Sequence, residues 1–148
     1  MSIWHLPPDL NLIHSYSENS LVQWLGIEFT EVGEDFLRAQ MPVDKRTRQP
    51  AGVLHGGASV ALAETVGTWA SSFTVDHQQF HCVGMEINAN HLRPVSQGIV
   101  VGTARPVHLG RTTQVWGIEI TNEQDKPVCV SRLTIAVLPK PSEYRATS

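Results

Sequence analysis

The sequence predicts an α+β fold, one antiparallel sheet wrapped around a single long helix. Three observations carry this. One stretch, Leu54 to about Asp76, is long and alanine-rich enough for an extended helix. Strand-like segments flank it, two before and four after. The links between those strands are short turns, which join antiparallel neighbours. With 148 residues, 41% of them hydrophobic and 17% charged, the chain suits one globular domain spanning residues 1–148. Its core is expected at about residues 21–138, with an N-terminal helical extension over 1–20 and a loose tail over 139–148.

Taken in order, Pro7-Pro8-Asp9 reads as a cap before a short amphipathic helix anchored by Leu10, Ile13 and Leu12. A second helical piece follows Asn19 and uses Leu21, Val22 and Trp24. Gly26–Val32 and Asp35–Met41 read as strands of a hairpin turning at Gly33-Glu34. Pro42–Gly52 is a polar loop carrying Lys45, Arg46, Arg48 and Gln49. The long helix opens at His55-Gly56-Gly57. Beyond it, Cys82–His91 alternates with Val83, Met85, Ile87 and Ala89 on one face, and Gly98–Val107 follows a turn at Pro94–Gln97. Thr113–Asn122 sets Gln114, Trp116, Ile118 and Ile120 on one face, and Val128–Leu138 closes the sheet. One helix cannot cover such a sheet completely, so the residual apolar surface predicts a homo-oligomer.

Eleven Lys and Arg against 14 Asp and Glu give a net charge of −3, without the basic footprint of a nucleic-acid binder. Cys82 and Cys129 form neither a disulfide framework nor a metal-binding pair, and no HExxH or Cys/His spacing supports a metal. No signal peptide is visible, so the cytoplasm is the expected compartment. The run from Gly56 to Phe73 holds three glycines, two threonines and a central carboxylate, too polar for a membrane span. His14, His77, His81 and His108 read as ordinary structural or surface histidines.

That central carboxylate, Glu64, is the most informative residue. Val60, Ala61, Gly67 and Thr68 surround it one turn away, and no Lys or Arg lies within reach on the helix. It sits either on the helix's one wet edge or in a cleft, where burial raises a carboxyl pKa. A buried carboxylate of that kind is a candidate base or nucleophile, and the alternative is a structural carboxylate that accepts hydrogen bonds or pairs with a strand arginine. At the helix start, Gly56 and Gly57 leave backbone N–H groups open at the positive end of the helix dipole, where a developing oxyanion is stabilised. Eight residues separate Gly56 from Glu64, about 12 Å along the axis. Reacting groups must each come within about 3 Å of one centre. If both act, Gly56 comes from one subunit and Glu64 from another.

The segments MPVDKRTRQPAGVLHGGASVALAETVG, VGMEINANHLRP, HLGRTTQVW and SRLTIAVL resemble the hotdog-fold acyl-CoA thioesterases, over about Leu21 to Leu138. The nearest branch is the Glu-nucleophile type of 4-hydroxybenzoyl-CoA thioesterase. The resemblance implies a hotdog fold in a dimer or dimer of dimers with shared active sites. It assigns Glu64 as nucleophile or general base and Gly56 as the backbone donor to the thioester carbonyl. Gln49 orients the thioester, His55 is a neighbouring polar group, and Thr68, one turn from Glu64, positions the hydrolytic water. Val83 and Gly84 match an edge strand that binds the pantetheine arm. His91, Arg93, Gly110 and Arg111 match the region holding the CoA phosphates, where arginine forks suit the ligand.

The implied reaction is hydrolysis of an aromatic acyl-CoA, of hydroxybenzoyl or 1,4-dihydroxy-2-naphthoyl type, to a carboxylic acid and CoA. No separate cofactor is implied, since CoA is part of the substrate. An acyl group on a carrier protein shares the same phosphopantetheine arm and stays open as a donor, as does a non-catalytic acyl-CoA binder. A hotdog dehydratase lacks its His and Asp patterns here, and a serine esterase lacks its GxSxG elbow. Ala51 stands where relatives often carry a bulkier aromatic, which alters the acyl pocket.

Overall fold

A computed structural model describes residues 1–141. Its elements are α1 (Leu10–Tyr16), α2 (Leu21–Trp24), β1 (Glu28–Val32), β2 (Leu37–Pro42), α3 (Gly56–Phe73), β3 (Phe80–His91), β4 (Ile99–Leu109), β5 (Thr113–Thr121) and β6 (Pro127–Pro139). The six strands form one sheet in the order β1-β2-β4-β5-β6-β3, with every pairing antiparallel. The sheet wraps α3 as the sequence predicts.

Close packing between helix and sheet follows from small residues at the contacts. A Cβ on Gly67 would lie 2.7 Å from Leu133 Cδ2, so only glycine lets α3 settle onto β6. Leu62, Val66, Trp116, Ile118, Leu133 and Ile135 fill the space between. The predicted inward face of β5 is buried throughout at Gln114, Trp116, Ile118 and Ile120. Its polar member is satisfied: Trp116 Nε1 donates to Gln114 Oε1 at 2.9 Å, and Gln114 Nε2 donates to Thr74 Oγ1 at 2.8 Å. This chain of bonds ties β5 to the C-terminal cap of α3.

The structure corrects three local expectations. The first hairpin turns over Gly33–Phe36, with Gly33 N–H donating to Phe36 O, and Gly26 sits in a left-handed turn before β1 rather than in it. In β3 the alternation breaks at a bulge between Gly84 and Glu86. Ile87 and Ala89 pack against the core as expected, but Val83 and Met85 are 42% and 66% exposed, and Cys82 takes the inner position. The tail expected over 139–148 falls mostly on residues outside those described. Pro139 still belongs to β6, and Lys140 N–H donates to Gln79 O.

The two sheet edges differ. On β1, the Phe29 N–H donates to His14 Nε2 at 3.0 Å, so α1 occupies that edge. On the opposite side, β3 has no strand beyond it among the described residues.

Candidate active site

The helix start is held by a braced loop. Thr47 Oγ1 donates to Pro42 O, and His55 N–H donates to Thr47 O. Arg46 pairs with Asp44 at 2.7 Å, and that bonding holds the Asp44 carboxyl down at about 2. Gly52 takes φ 84°, closing a tight turn in which Gln49 N–H donates to Val53 O. Within it, Ala51 N–H donates to Gln49 Oε1 at 2.7 Å. The amide oxygen is thereby engaged, and its NH₂ end remains as a donor.

His55 caps α3. Its Nδ1 accepts from Gly57 N–H at 2.7 Å, so in the neutral ring the proton sits on Nε2. Beside it, a Cβ at Gly56 would stand 2.9 Å from His91 Nε2, so the His91 imidazole occupies the space a side chain would need. Gln49, Gly56, His91 and Arg93 line one cavity of about 390 Å³. Arg93 Nη1 donates to Pro127 O at 2.8 Å, which anchors the guanidinium at the cavity margin.

Glu64 lies elsewhere, on the exposed edge of α3. It shares a second cavity of about 390 Å³ with Thr68, Thr65, Ala61, Trp69, Leu21 and Val22. Thr65 Oγ1 donates back to Ala61 O, whereas Thr68 Oγ1 makes no hydrogen bond among the described residues. Opposite, a Cβ at Gly84 of β3 would lie 2.9 Å from Glu64 Oε1.

The structure therefore divides the expected site residues into groups. Gln49, His55, Gly56, His91 and Arg93 gather at the start of α3. Glu64 and Thr68 lie two turns on, facing Gly84. The Gly110–Thr113 turn adjoins the Val83 end of β3, since Val83 pairs with Ala136 and Ala136 with Thr113. Gly110 and Arg111 line a third cavity with Thr74 and Asp76, at the far end of α3 from Arg93. Within one chain, the expected phosphate-binding residues thus do not form one cluster.

Sequence reasoning passed over Trp69, Leu21 and Val22 as walls of the Glu64 groove, and Ser59 in the Gly56 cavity. Helical spacing from Gly56 could have found Ser59, three residues on, but Trp69 is five residues beyond Glu64, and Leu21 and Val22 belong to α2, so only the packing of α2 against α3 reveals them. Burial pushes the Cys82 and Cys129 thiols up, so neither is poised as a nucleophile. Among the described residues no cluster of His, Cys, Asp and Glu could hold a metal ion, and no helix is long and apolar enough to cross a membrane.

Comparison with known proteins places this geometry in a family. The thioesterase superfamily profile matches residues 51–129. The chain is 51% identical to the proofreading thioesterase EntH of Cronobacter turicensis, over 92% of this chain and 98% of that one. It is 47% identical to the 1,4-dihydroxy-2-naphthoyl-CoA hydrolase of Escherichia coli, over 92% and 99% respectively. The crystal structure of a mutant thioesterase PA1618 from Pseudomonas aeruginosa superposes with a TM-score of 0.93 at 50% identity, covering 94% of this chain and all of that one. The chain is a hotdog-fold thioester hydrolase and belongs to the thioesterase superfamily.

Proposed function

We propose that the enzyme hydrolyses aromatic acyl-CoA thioesters in a site assembled from two copies of the chain. The observation that carries this is the arrangement along β3. Gly84 stands beside Glu64, and His91, on the same strand, stands beside Gly56. β3 is the open edge of the sheet. An antiparallel pairing of two β3 strands about a two-fold axis between Ile87 and Asn88 sets Gly84 of one copy opposite His91 of the other. Glu64 of the first copy then faces the donors of the second. The same pairing brings the Arg111 turn of one chain toward the side of Arg93 of the other, a pair of cations for the CoA phosphates.

The chemistry follows from these positions. The Gly56 N–H, at the positive end of α3, and the Gln49 amide polarise the thioester carbonyl; one such donor contributes about 3–4 kcal/mol. His55 supplies a further N–H from Nε2. Glu64 attacks the carbonyl carbon to give a mixed anhydride, or takes a proton from a water held by Thr68. Breaking the C–S bond releases the CoA thiolate; on the anhydride route a water then hydrolyses the anhydride to the carboxylic acid and frees Glu64, and on either route a proton from that water leaves CoA as the thiol. The groove beside Glu64 has walls of Leu21, Val22, Ala61 and Trp69, which suit a flat apolar acyl group. Both cysteines are unpaired, as suits a reducing cytoplasm.

Thiol release from matched aryl-, arylalkyl- and fatty acyl-CoAs tests the reading. Fastest release is expected from the aryl esters. Equal rates across the panel would overturn the aromatic preference. Release only from an aryl group carried on a phosphopantetheinylated protein would move the donor from CoA to that carrier.

Gly84 provides a sharper check of the geometry. Its neighbour Glu64 Oε1 ends a flexible side chain, so Gly84→Ala is expected to fold and to displace the carboxylate instead. Misplacing a reacting group by about 1 Å costs on the order of 10²-fold. A kcat lower by about that factor, with an unshifted thermal melt, is expected. An unchanged kcat would remove the Gly84 contact from the reactive geometry.

A further inference from the structure

We propose that His91 is the general acid of the reaction, its ring delivering a proton to the sulfur as the C–S bond breaks; this rests on the reading of Gly56 as the carbonyl donor. The family resemblance groups His91 with the CoA phosphates, but the ring lies against the start of α3. A Cβ at Gly56 would stand 2.9 Å from His91 Nε2. A Cβ lies about 2.5 Å from its own backbone nitrogen, so His91 Nε2 is at most about 5.4 Å from Gly56 N. Gly56 opens the helix, and its N–H has no partner among the described residues. A thioester oxygen bonded there sits about 2.9 Å from the nitrogen. The sulfur shares the carbonyl carbon with that oxygen, which puts it within reach of the imidazole.

Elimination points to the same residue. Of the other polar side chains lining this cavity, Gln49 and Ser59 do not ionise near neutral pH, and the Arg93 guanidinium holds its protons. His55 donates from Nε2, but its Nδ1 accepts the Gly57 N–H, so taking up a second proton would cost α3 its cap. Neither nitrogen of His91 makes a hydrogen bond among the described residues, and the residue is exposed at the end of β3. Among these groups His91 is the one free both to give a proton and to take one back. As sulfur departs, the C–S electron pair goes to sulfur, the imidazolium N–H breaks and an S–H bond forms. CoA leaves as the thiol and the ring is left neutral. The proton that the hydrolytic water gives up, directly or through Glu64, recharges the ring. Alkyl thiols keep their proton at neutral pH, so the thiolate is basic enough to take one.

The test uses one aryl acyl group on three thiols. CoA and N-acetylcysteamine are alkyl thiols, the second without phosphates, and 4-nitrothiophenol is acidic enough to leave as its thiolate unaided. His91→Ala is expected to lower kcat/KM about 10²-fold on the first two, and by no more than about threefold on the nitrothiophenyl ester. A loss confined to the CoA ester would make His91 a phosphate contact and overturn the assignment. An equal loss on all three esters would make its role one of packing, and no loss on any would remove it from the chemistry; either overturns the assignment. If thermal melting shows His91→Ala to be poorly folded, His91→Gln keeps a polar side chain that carries no exchangeable charge and is read on the same panel. Wild-type enzyme inactive on all three esters would defeat the acyl-CoA reading itself, and the inference with it, so the two failures are distinct.

Discussion

Glu64→Ala is expected to fold as the native chain does and to lose about 10³-fold or more in kcat for thiol release. The fold should tolerate the change because Glu64 is exposed and takes part in none of the ion pairs among the described residues. Surface substitutions of that kind usually stay within about 0.5 kcal/mol. The kinetic loss has a different origin. Whether Glu64 attacks or activates water, no second carboxylate lines its groove to replace it. A general base accounts for roughly 10²–10⁴-fold, and loss of a nucleophile costs more. KM should change little, since Gln49 and Gly56, the proposed carbonyl donors, line the other cavity. Glu64→Gln keeps the shape and removes the charge, so an equal loss assigns the effect to the carboxylate rather than to packing. A kcat within tenfold of wild type in either variant would refute the mechanism.

Why so much of this was legible in the sequence, and why some was not, comes down to the range of the forces involved. Glu64 was conspicuous because a lone carboxylate in an apolar helix is a local anomaly. The helix start was legible from the alanine-rich run that follows it, whereas His-Gly-Gly by itself is a weak signal, and the capping of α3 by His55 Nδ1 emerges only from the structure. The inner face of β5 followed from strict alternation, since a strand with one buried face has a period of two. β3 resisted the same reasoning. The bulge after Gly84 inserts a residue, and Val83 and Met85 turn outward while Ile87 and Ala89 face the core. A bulge depends on the partner strand, and no local pattern announces it.

The contacts of His91 and Arg111 were hidden for a related reason. His91 against Gly56 is a contact between residues far apart in the chain, made because β3 runs antiparallel to β6 over the helix. Arg93 and Arg111 look alike as exposed cations near glycine or proline, and the family resemblance grouped them as phosphate-binding residues. Only the sheet order reveals that they belong to opposite ends of α3. The helix rise alone, by contrast, already kept Gly56 and Glu64 apart, and the two separate cavities agree with it.

Mixing two inactive variants is therefore expected to restore activity. The first is Glu64→Ala. The second is Gly56→Pro, which removes the donor N–H at a position where proline suits a helix: Gly56 is the first helical residue, and His55 already has the extended conformation (φ −70°, ψ 130°) required before proline. The Pro ring must displace His91, so sedimentation should first establish that this variant still assembles. If each site takes its donor from one copy and its carboxylate from another, random exchange makes half of the dimers mixed. In each mixed dimer one site carries both lesions and the other carries neither. The mixture should then approach about a quarter of wild-type activity, although neither parent has any. Co-expression with two affinity tags isolates the mixed dimer, for which about half of wild-type activity is expected. A site complete within one chain predicts no recovery at all, because every chain then carries a lesion in its own site. Mixed dimers that form and remain as inactive as their parents would overturn the shared site.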